Sequence, residues 1–221
     1  VDAPVWKQVA YLVAWPGMDC DAYLAGDRNR VCRPSFAEWA TAIVTICTGA
    51  VVLWGLVPML PSEATTLQAR GGMLGVILVL HFGVFALLSC FWRSRGVAAM
   101  PLMHQPLRSK NLADFWGRRW NTAFRDLTHQ FLFRSLRRLL GAPLALVAGF
   151  AASGLVHDVV ISGPSGGGWG MPTAYFMIQG GALLVQRTQW LHLADGLTGR
   201  MYCLAIVVGP SPLLFHTPFR E

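Results

Sequence analysis

Apolar residues in this chain gather into long runs rather than into short alternating or amphipathic stripes. Residues 36–60 (FAEWATAIVTICTGAVVLWGLVPML) carry one charge, Glu38, near their start. Residues 71–92 (GGMLGVILVLHFGVFALLSCFW) are interrupted only by His81, and 140–161 (LGAPLALVAGFAASGLVHDVVI) hold His157 and Asp158 near their far end. A run of roughly 20 apolar residues is what a helix needs to cross the hydrocarbon of a bilayer. Two weaker runs follow: 170–186, which is shorter and contains Gln179, and 201–216, interrupted by Gly209-Pro210-Ser211-Pro212. The last is expected to be broken or re-entrant, which a bilayer tolerates only where protein or a cavity shelters the backbone. The pattern predicts an all-α, multi-pass transmembrane protein of about five spans, forming a single domain over 1–221.

The polar part of the pattern lies between the second and third runs, at 93–139. Within it, 112–139 read as one helix. At about 100° per residue, Asp114, Arg118, Asn121 and Arg125 share one face, and Trp116, Trp120, Phe124, Leu127 and Phe131 fall on the other. One charged, amide-bearing face opposite an aromatic, apolar one predicts an amphipathic helix lying at the membrane interface. The simplest reading is a basic helix resting on anionic headgroups. Asp114 and Asn121 do not serve headgroup attraction, however, and Gly117 removes a side chain beside Arg118 at some cost in helix stability. A second reading is therefore a face that receives an anionic ligand.

Charge orients these elements. The 93–138 segment holds ten Lys and Arg against two Asp, so its net +8 exceeds the +7 of the whole chain. By the positive-inside rule it is expected on the cytoplasmic side. Alternation then places 1–35 and 187–200 inside and leaves 61–69 and the uncharged turn 163–168 outside. Composition agrees: 54% of residues are hydrophobic, 13% are charged and the mean hydropathy is +0.45, too apolar for an ordinary soluble domain. The nine tryptophans suit interface anchoring. No removable signal peptide is evident in residues 1–35, which mix acids and bases. Five cysteines (20, 32, 47, 90 and 203), an odd number without a CxxC pair, make a disulfide framework or a zinc site a poor expectation, and no metal cluster is visible. Nothing points to nucleic acid.

The third run carries the chemistry. Pro143 suits a first helical turn, where its missing N–H costs nothing. His157 then lies about 20 Å further along the helix, at about 1.5 Å per residue. Ala145, Gly149, Ser153 and His157 recur every four residues, so a strip of small side chains leads to an imidazole. One reading is close helix packing through small residues, with His157 hydrogen-bonded to a neighbour. The other is a groove for an apolar chain ending at a general base, a role for which a near-neutral pKa suits histidine. Asp158 projects about 100° away on the helix, so it is expected to cap a helix end or pair with an Arg rather than orient the ring. His81 is expected to be structural, His104 and His129 solvated, and His192 and His216 without a constellation.

Two of these segments together resemble a known family. Asp114-Phe115-Trp116-Gly117-Arg118-Arg119-Trp120-Asn121, followed by Ser153-Gly154-Leu155-Val156-His157-Asp158, is similar to the wax-synthase branch of the membrane-bound O-acyltransferases, in its bacterial form. Residues 11–19 (YLVAWPGMD) resemble the N-terminal approach segment of bacterial members. The resemblance implies transfer of a fatty acyl group from acyl-CoA to the hydroxyl of a lipophilic alcohol, within a multi-pass protein of the bacterial inner membrane and in contact with membrane lipids. It implies His157 as the base and Asn121 as its partner or as an oxyanion donor, with acyl-CoA as co-substrate and no cofactor. From charge, Arg118, Arg119, Arg125 and Lys110 are expected to hold the coenzyme A phosphates. Asp114, Trp116, Trp120, Gly149 and Ser153 complete the expected substrate-binding set. Family members usually have more spans, so the chain is expected to be a fragment, a processed form or a degenerate member. A catalytically inactive lipid-binding relative and a small proton-coupled transporter using His157 and Asp158 stand as the alternatives.

Overall fold

The computed structural model describes residues 3–17, 19–25, 31–188 and 196–214, and among these every regular element is helical. His192 and His216 lie outside the described residues. Packing divides the chain into two units, Val1–His104 with Asn121–Phe124, and Gln105–Trp120 with Arg125–Glu221.

In the first unit two short helices, α1 (Val5–Ala14) and α2 (Cys20–Ala25), precede two long ones, α3 (Phe36–Met59) and α4 (Thr65–Ser94). A capping box starts α3. The Ser35 hydroxyl accepts from the Glu38 amide, and the Glu38 carboxylate accepts from the Ser35 amide, which satisfies two orphan donors of the first turn. Both long helices widen into π-type turns, at Val51–Leu56 and Ile77–Val84. Their glycines let the backbones meet. A Cβ on Gly49 would lie 2.9 Å from the carbonyl oxygen of Gly75, and one on Gly75 would lie 3.1 Å from that of Gly49. At one end Trp15, Tyr23, Trp92, Val97, Ala99 and Leu102 form an apolar core. The Trp92 indole donates to the Ala14 carbonyl and the Ser89 hydroxyl to that of Ala99, so the core also fixes the 97–104 loop. His81 packs edge-on against Phe85, with ring centroids 5.5 Å apart.

The second unit contains α5 (Thr122–Ser165, from Arg125 onward), α6 (Met171–Arg187) and α7 (Gly196–Val208). Gly141 breaks α5, at φ 79° and ψ 166°, two residues before Pro143. Glycine enters that region without a Cβ clash, and proline then restarts the helix without needing a bond to its missing N–H. The basic stretch up to Leu140 and the apolar run beyond it are thus two segments of α5 that meet at a kink. Gly154 allows α6 to approach: a Cβ there would sit 2.5 Å from the Thr173 Cα.

Among the described residues three helices, Phe36–Met59, Thr65–Ser94 and Thr122–Ser165, are long and apolar enough to cross a membrane. The two weaker runs are also helical, but with 17 and 13 residues they are shorter. The structure corrects the single helix read over 112–139. That stretch is helical over Leu112–Asp114 and Phe115–Arg119, then stops. Trp120 is extended, with φ −103° and ψ 123°, and Asn121 is left-handed at φ 41°. The shared face drawn through Asp114, Arg118, Asn121 and Arg125 therefore does not exist as one wheel. Asparagine is among the few residues that tolerate the left-handed region, so Asn121 takes up this backbone at little cost.

Candidate functional site

The segment 111–120 is built by short-range hydrogen bonds. The Asn111 carboxamide accepts from the Asp114 amide at 2.8 Å and starts the turn. The Asp114 carboxylate in turn accepts from the Lys110 amide at 3.1 Å and from Arg119 Nε at 2.6 Å. Burial by itself pushes the Asp114 carboxyl up, but these hydrogen bonds and the charges of Arg119 and Arg118 outweigh it and hold its pKa below the ordinary value. The turn closes in π fashion, Trp120 donating its amide to the Phe115 carbonyl at 2.9 Å. Gly117 leaves open space where a Cβ would stand, and its carbonyl accepts from Arg125 at 2.8 Å.

These bonds sort the basic residues proposed for phosphate binding. Arg119 is held by Asp114, and Arg125 by Asp126 and the Gly117 carbonyl. Arg118 and Lys110 are exposed, and neither side chain has a hydrogen bond or ion pair among the described residues. Lys110 lines a cavity of about 420 Å³ with Gly196, Leu197 and Arg200.

The aromatic residues of the segment point into the second unit's core, where Leu112 and Phe115 pack with Ala182, Leu183 and Cys203. Trp120 stacks on Phe115, with centroids 5.4 Å apart. The Trp116 indole donates to Gln179 Oε1 at 3.1 Å, and Gln179 Nε2 donates to the Ile206 carbonyl at 2.7 Å. Gln179 is 0% exposed, so a fully buried amide with both ends bonded ties the signature segment to α6 and α7. Trp116 also packs against Phe150 and Phe176, at 5.6 and 5.9 Å.

Phe176 links this cluster to the histidine, since its ring lies 4.4 Å from the His157 imidazole. His157 Nδ1 is 2.7 Å from the Ser153 carbonyl oxygen, one helical turn back. A carbonyl can only accept, so in the neutral ring Nδ1 carries the hydrogen and Nε2 keeps its lone pair. Nε2 has no hydrogen-bond partner among the described residues. The ring is thus oriented from one side and available as a base on the other. Of the small-residue strip leading to it, Ala145 and Ser153 are buried, whereas a Cβ added at Gly149 would meet nothing within 4 Å. Close helix packing runs through Gly154 instead, so the Gly149 side remains open beside the approach to His157.

Asp158 does cap a helix end. Its carboxylate, 4% exposed, accepts from the Gly170 amide at 2.8 Å, from the Ser162 hydroxyl at 3.2 Å and from the Thr173 hydroxyl. Gly170 caps the N-terminus of α6, where a negative charge is favoured. Phe176, Gln179 and Thr173 were not singled out from sequence. The signal available for Gln179 was an amide in an otherwise apolar run, and Phe176 gave none.

Asn121 is described within the first unit. Its amide donates to Met103 Sδ at 3.2 Å, and its Oδ1 accepts from the Phe124 amide at 3.2 Å, capping the start of α5. That bond fixes the carboxamide orientation and leaves the Nδ2 donors without a partner among the described residues. Among the described residues no group of three or more His, Cys, Asp or Glu side chains could hold a metal ion, and the described cysteines are free thiols.

Residues 99–178 match the family model described as the membrane bound O-acyl transferase family. The chain is 34% identical over 113 residues to a probable long-chain-alcohol O-fatty-acyltransferase 1 of Arabidopsis thaliana, a match covering 44% of this chain and 32% of that protein. It is 32% identical over 72 residues to a long-chain-alcohol O-fatty-acyltransferase of Simmondsia chinensis, covering 29% of this chain and 20% of that protein. The matched segments therefore span a third or less of these relatives' length. No solved structure matches. Together with three helices apolar enough to cross a bilayer, the match describes an integral membrane protein. Residues 99–178, both motifs included, bear out the resemblance read from the sequence: they match the membrane bound O-acyl transferase family model, and the relatives matched are named as long-chain-alcohol O-fatty-acyltransferases.

Proposed function

We propose that this chain carries the acceptor-activating part of a membrane O-acyltransferase that moves a fatty acyl group from acyl-CoA to the hydroxyl of a lipophilic alcohol. The observation that supports it most is the His157 imidazole, with Nδ1 donating to the Ser153 carbonyl and Nε2 open. Nε2 takes the proton of the alcohol as its oxygen attacks the thioester carbonyl carbon. The new C–O bond forms, the tetrahedral intermediate collapses, the C–S bond breaks, and the imidazolium returns its proton to the coenzyme A thiolate. Asn121 is assigned from its motif position as the amide donor to the developing oxyanion, a role its free Nδ2 group allows. Arg118 and Lys110, the two cations of the original set without internal partners, are assigned to coenzyme A phosphates, with the basic segment on the cytoplasmic side of a bacterial inner membrane. The open side at Gly149 is assigned to an apolar chain.

The test supplies membranes containing the protein with radiolabelled acyl-CoA and a panel of long-chain alcohols. His157→Ala is expected to lower ester formation by about 10²- to 10⁴-fold, the range for loss of a general base. Equal ester formation by native and His157→Ala proteins would remove His157 as base. No ester over the whole panel would remove the transferase reading for this chain.

A further inference from the structure

The basic half of α5, ahead of the Gly141 break, holds a cleft that the acyl-transfer reading does not use. His129, Phe133, Arg134, Arg137 and Arg138 line an open surface groove of about 370 Å³. Arg134, Arg137 and Arg138 stand at helical spacings of three and four residues, so they share a face and repel one another. All three are exposed, and none has a hydrogen bond or ion pair among the described residues. No carboxylate is near in sequence either: residues 127–157 contain neither Asp nor Glu, and Asp126 is taken by Arg125. Phe133 is the apolar member of the lining, its ring stacked on His129 with centroids 5.4 Å apart and planes 21° apart.

We infer that this cleft is a binding site for a phosphate monoester or diphosphate. Three guanidinium groups present planar, paired donors that match phosphate oxygens, and a dianion between them would relieve their repulsion. Two sources carry such a group next to a membrane, coenzyme A and a phosphatidic acid headgroup. Coenzyme A enters through the proposed function; the site itself does not depend on that reading.

The test reads binding rather than turnover. The full chain is placed in phosphatidylcholine nanodiscs, and its affinities for coenzyme A, for 3′-dephospho-coenzyme A and for phosphatidic acid are measured. Arg134→Gln/Arg137→Gln/Arg138→Gln is compared with native protein, with an equal charge removal elsewhere (Arg33→Gln/Arg70→Gln/Arg95→Gln) and with the corresponding triple Lys variant, which keeps the charge. The Gln triple is expected to weaken coenzyme A or phosphatidic acid binding by about tenfold or more, as loss of charge-assisted hydrogen bonds implies. The control and the Lys triple are expected to retain most of the affinity. Weakening confined to coenzyme A identifies the acyl donor as the source, and weakening confined to phosphatidic acid identifies the lipid. The inference is overturned if native protein binds neither ligand, if the Gln triple binds both as native does, or if the remote control loses as much. Binding without ester formation would refute the proposed function and leave the site standing.

Discussion

Asp158→Ala should be the most damaging single substitution near the histidine, and the reason is structural rather than catalytic. The buried carboxylate is the acceptor for the Gly170 amide and the Thr173 hydroxyl. The Ser162 hydroxyl, its third donor, keeps the Gly168 carbonyl at 3.3 Å as an alternative. Alanine thus removes the acceptor of two donors, the amide of the exposed Gly170 and the hydroxyl of the half-buried Thr173, at about 0.5–1.5 kcal/mol each, and removes a negative charge from the start of α6, worth about 0.3–1 kcal/mol. The expected loss is about 1.5–4 kcal/mol. Asp158→Asn keeps an oxygen for Gly170 and offers Thr173 a donor that its hydroxyl can accept, so its expected loss is about 1–1.5 kcal/mol. Equilibrium unfolding in mixed micelles, followed by circular dichroism, reads both values. Because Phe176 lies one turn beyond Thr173 and packs on His157, the alanine variant should also lose more activity than the asparagine variant. An alanine variant within about 0.5 kcal/mol of native, or one no worse than asparagine, would refute the clamp.

Gly154→Ala puts a methyl group 2.5 Å from the Thr173 Cα, a backbone atom that cannot swing aside; a loss of about 1–3 kcal/mol is expected in the same unfolding assay, whereas Gly149→Ala, facing open space inside the helix, should gain about 0.5–1 kcal/mol. Asp114 supplies a pH dependence. Its folded pKa lies below the unfolded one, so its contribution is present above the unfolded pKa and is lost as pH falls through the folded value. A partly exposed pair with Arg119 makes that contribution about 1 kcal/mol or less, and Asp114→Asn should abolish it, flattening the unfolding free energy between neutral and acid pH relative to native; an unchanged slope would show that Asp114 does not carry it.

The long apolar helices were legible because their signal is additive: each residue of 36–60 or 71–92 contributes hydropathy whatever its neighbours do. The restart at Pro143 was legible for a local reason, since proline fixes its own φ and lacks an N–H, whereas the Gly141 kink just before it was not read. The break at Trp120-Asn121 was not. Asn121 leaves the helix because its amide meets Met103 and Thr122 meets the Leu102 carbonyl, partners some 20 residues away that no helical wheel contains. The same applies to Arg119 and Arg125, which read as free cations and are committed to carboxylates once the turn closes. Sequence picked out the motif residues as a group and could not tell which of them the fold would bond internally.

That distribution changes how the signature segment is understood. A tryptophan beside two arginines invites a role at the ligand, but Trp116 spends its indole N–H on a fully buried glutamine. A buried amide costs several kcal/mol in an apolar setting unless both its ends are bonded, and Gln179 meets that condition only with Trp116 and the Ile206 carbonyl both in place. Gln179 thus ties the segment, α6 and α7 together, beside the bonds from the Ala113 amide to Gln186 and from the Tyr175 and Tyr202 hydroxyls to the Val207 and Ala182 carbonyls, and Phe176 on the same helix carries that placement to the imidazole. In the proposed mechanism the aromatic half of the motif acts through position and the histidine through its open nitrogen. That division would account for a signature dense in tryptophan while the base assigned to the proton stands 36 positions beyond its last member.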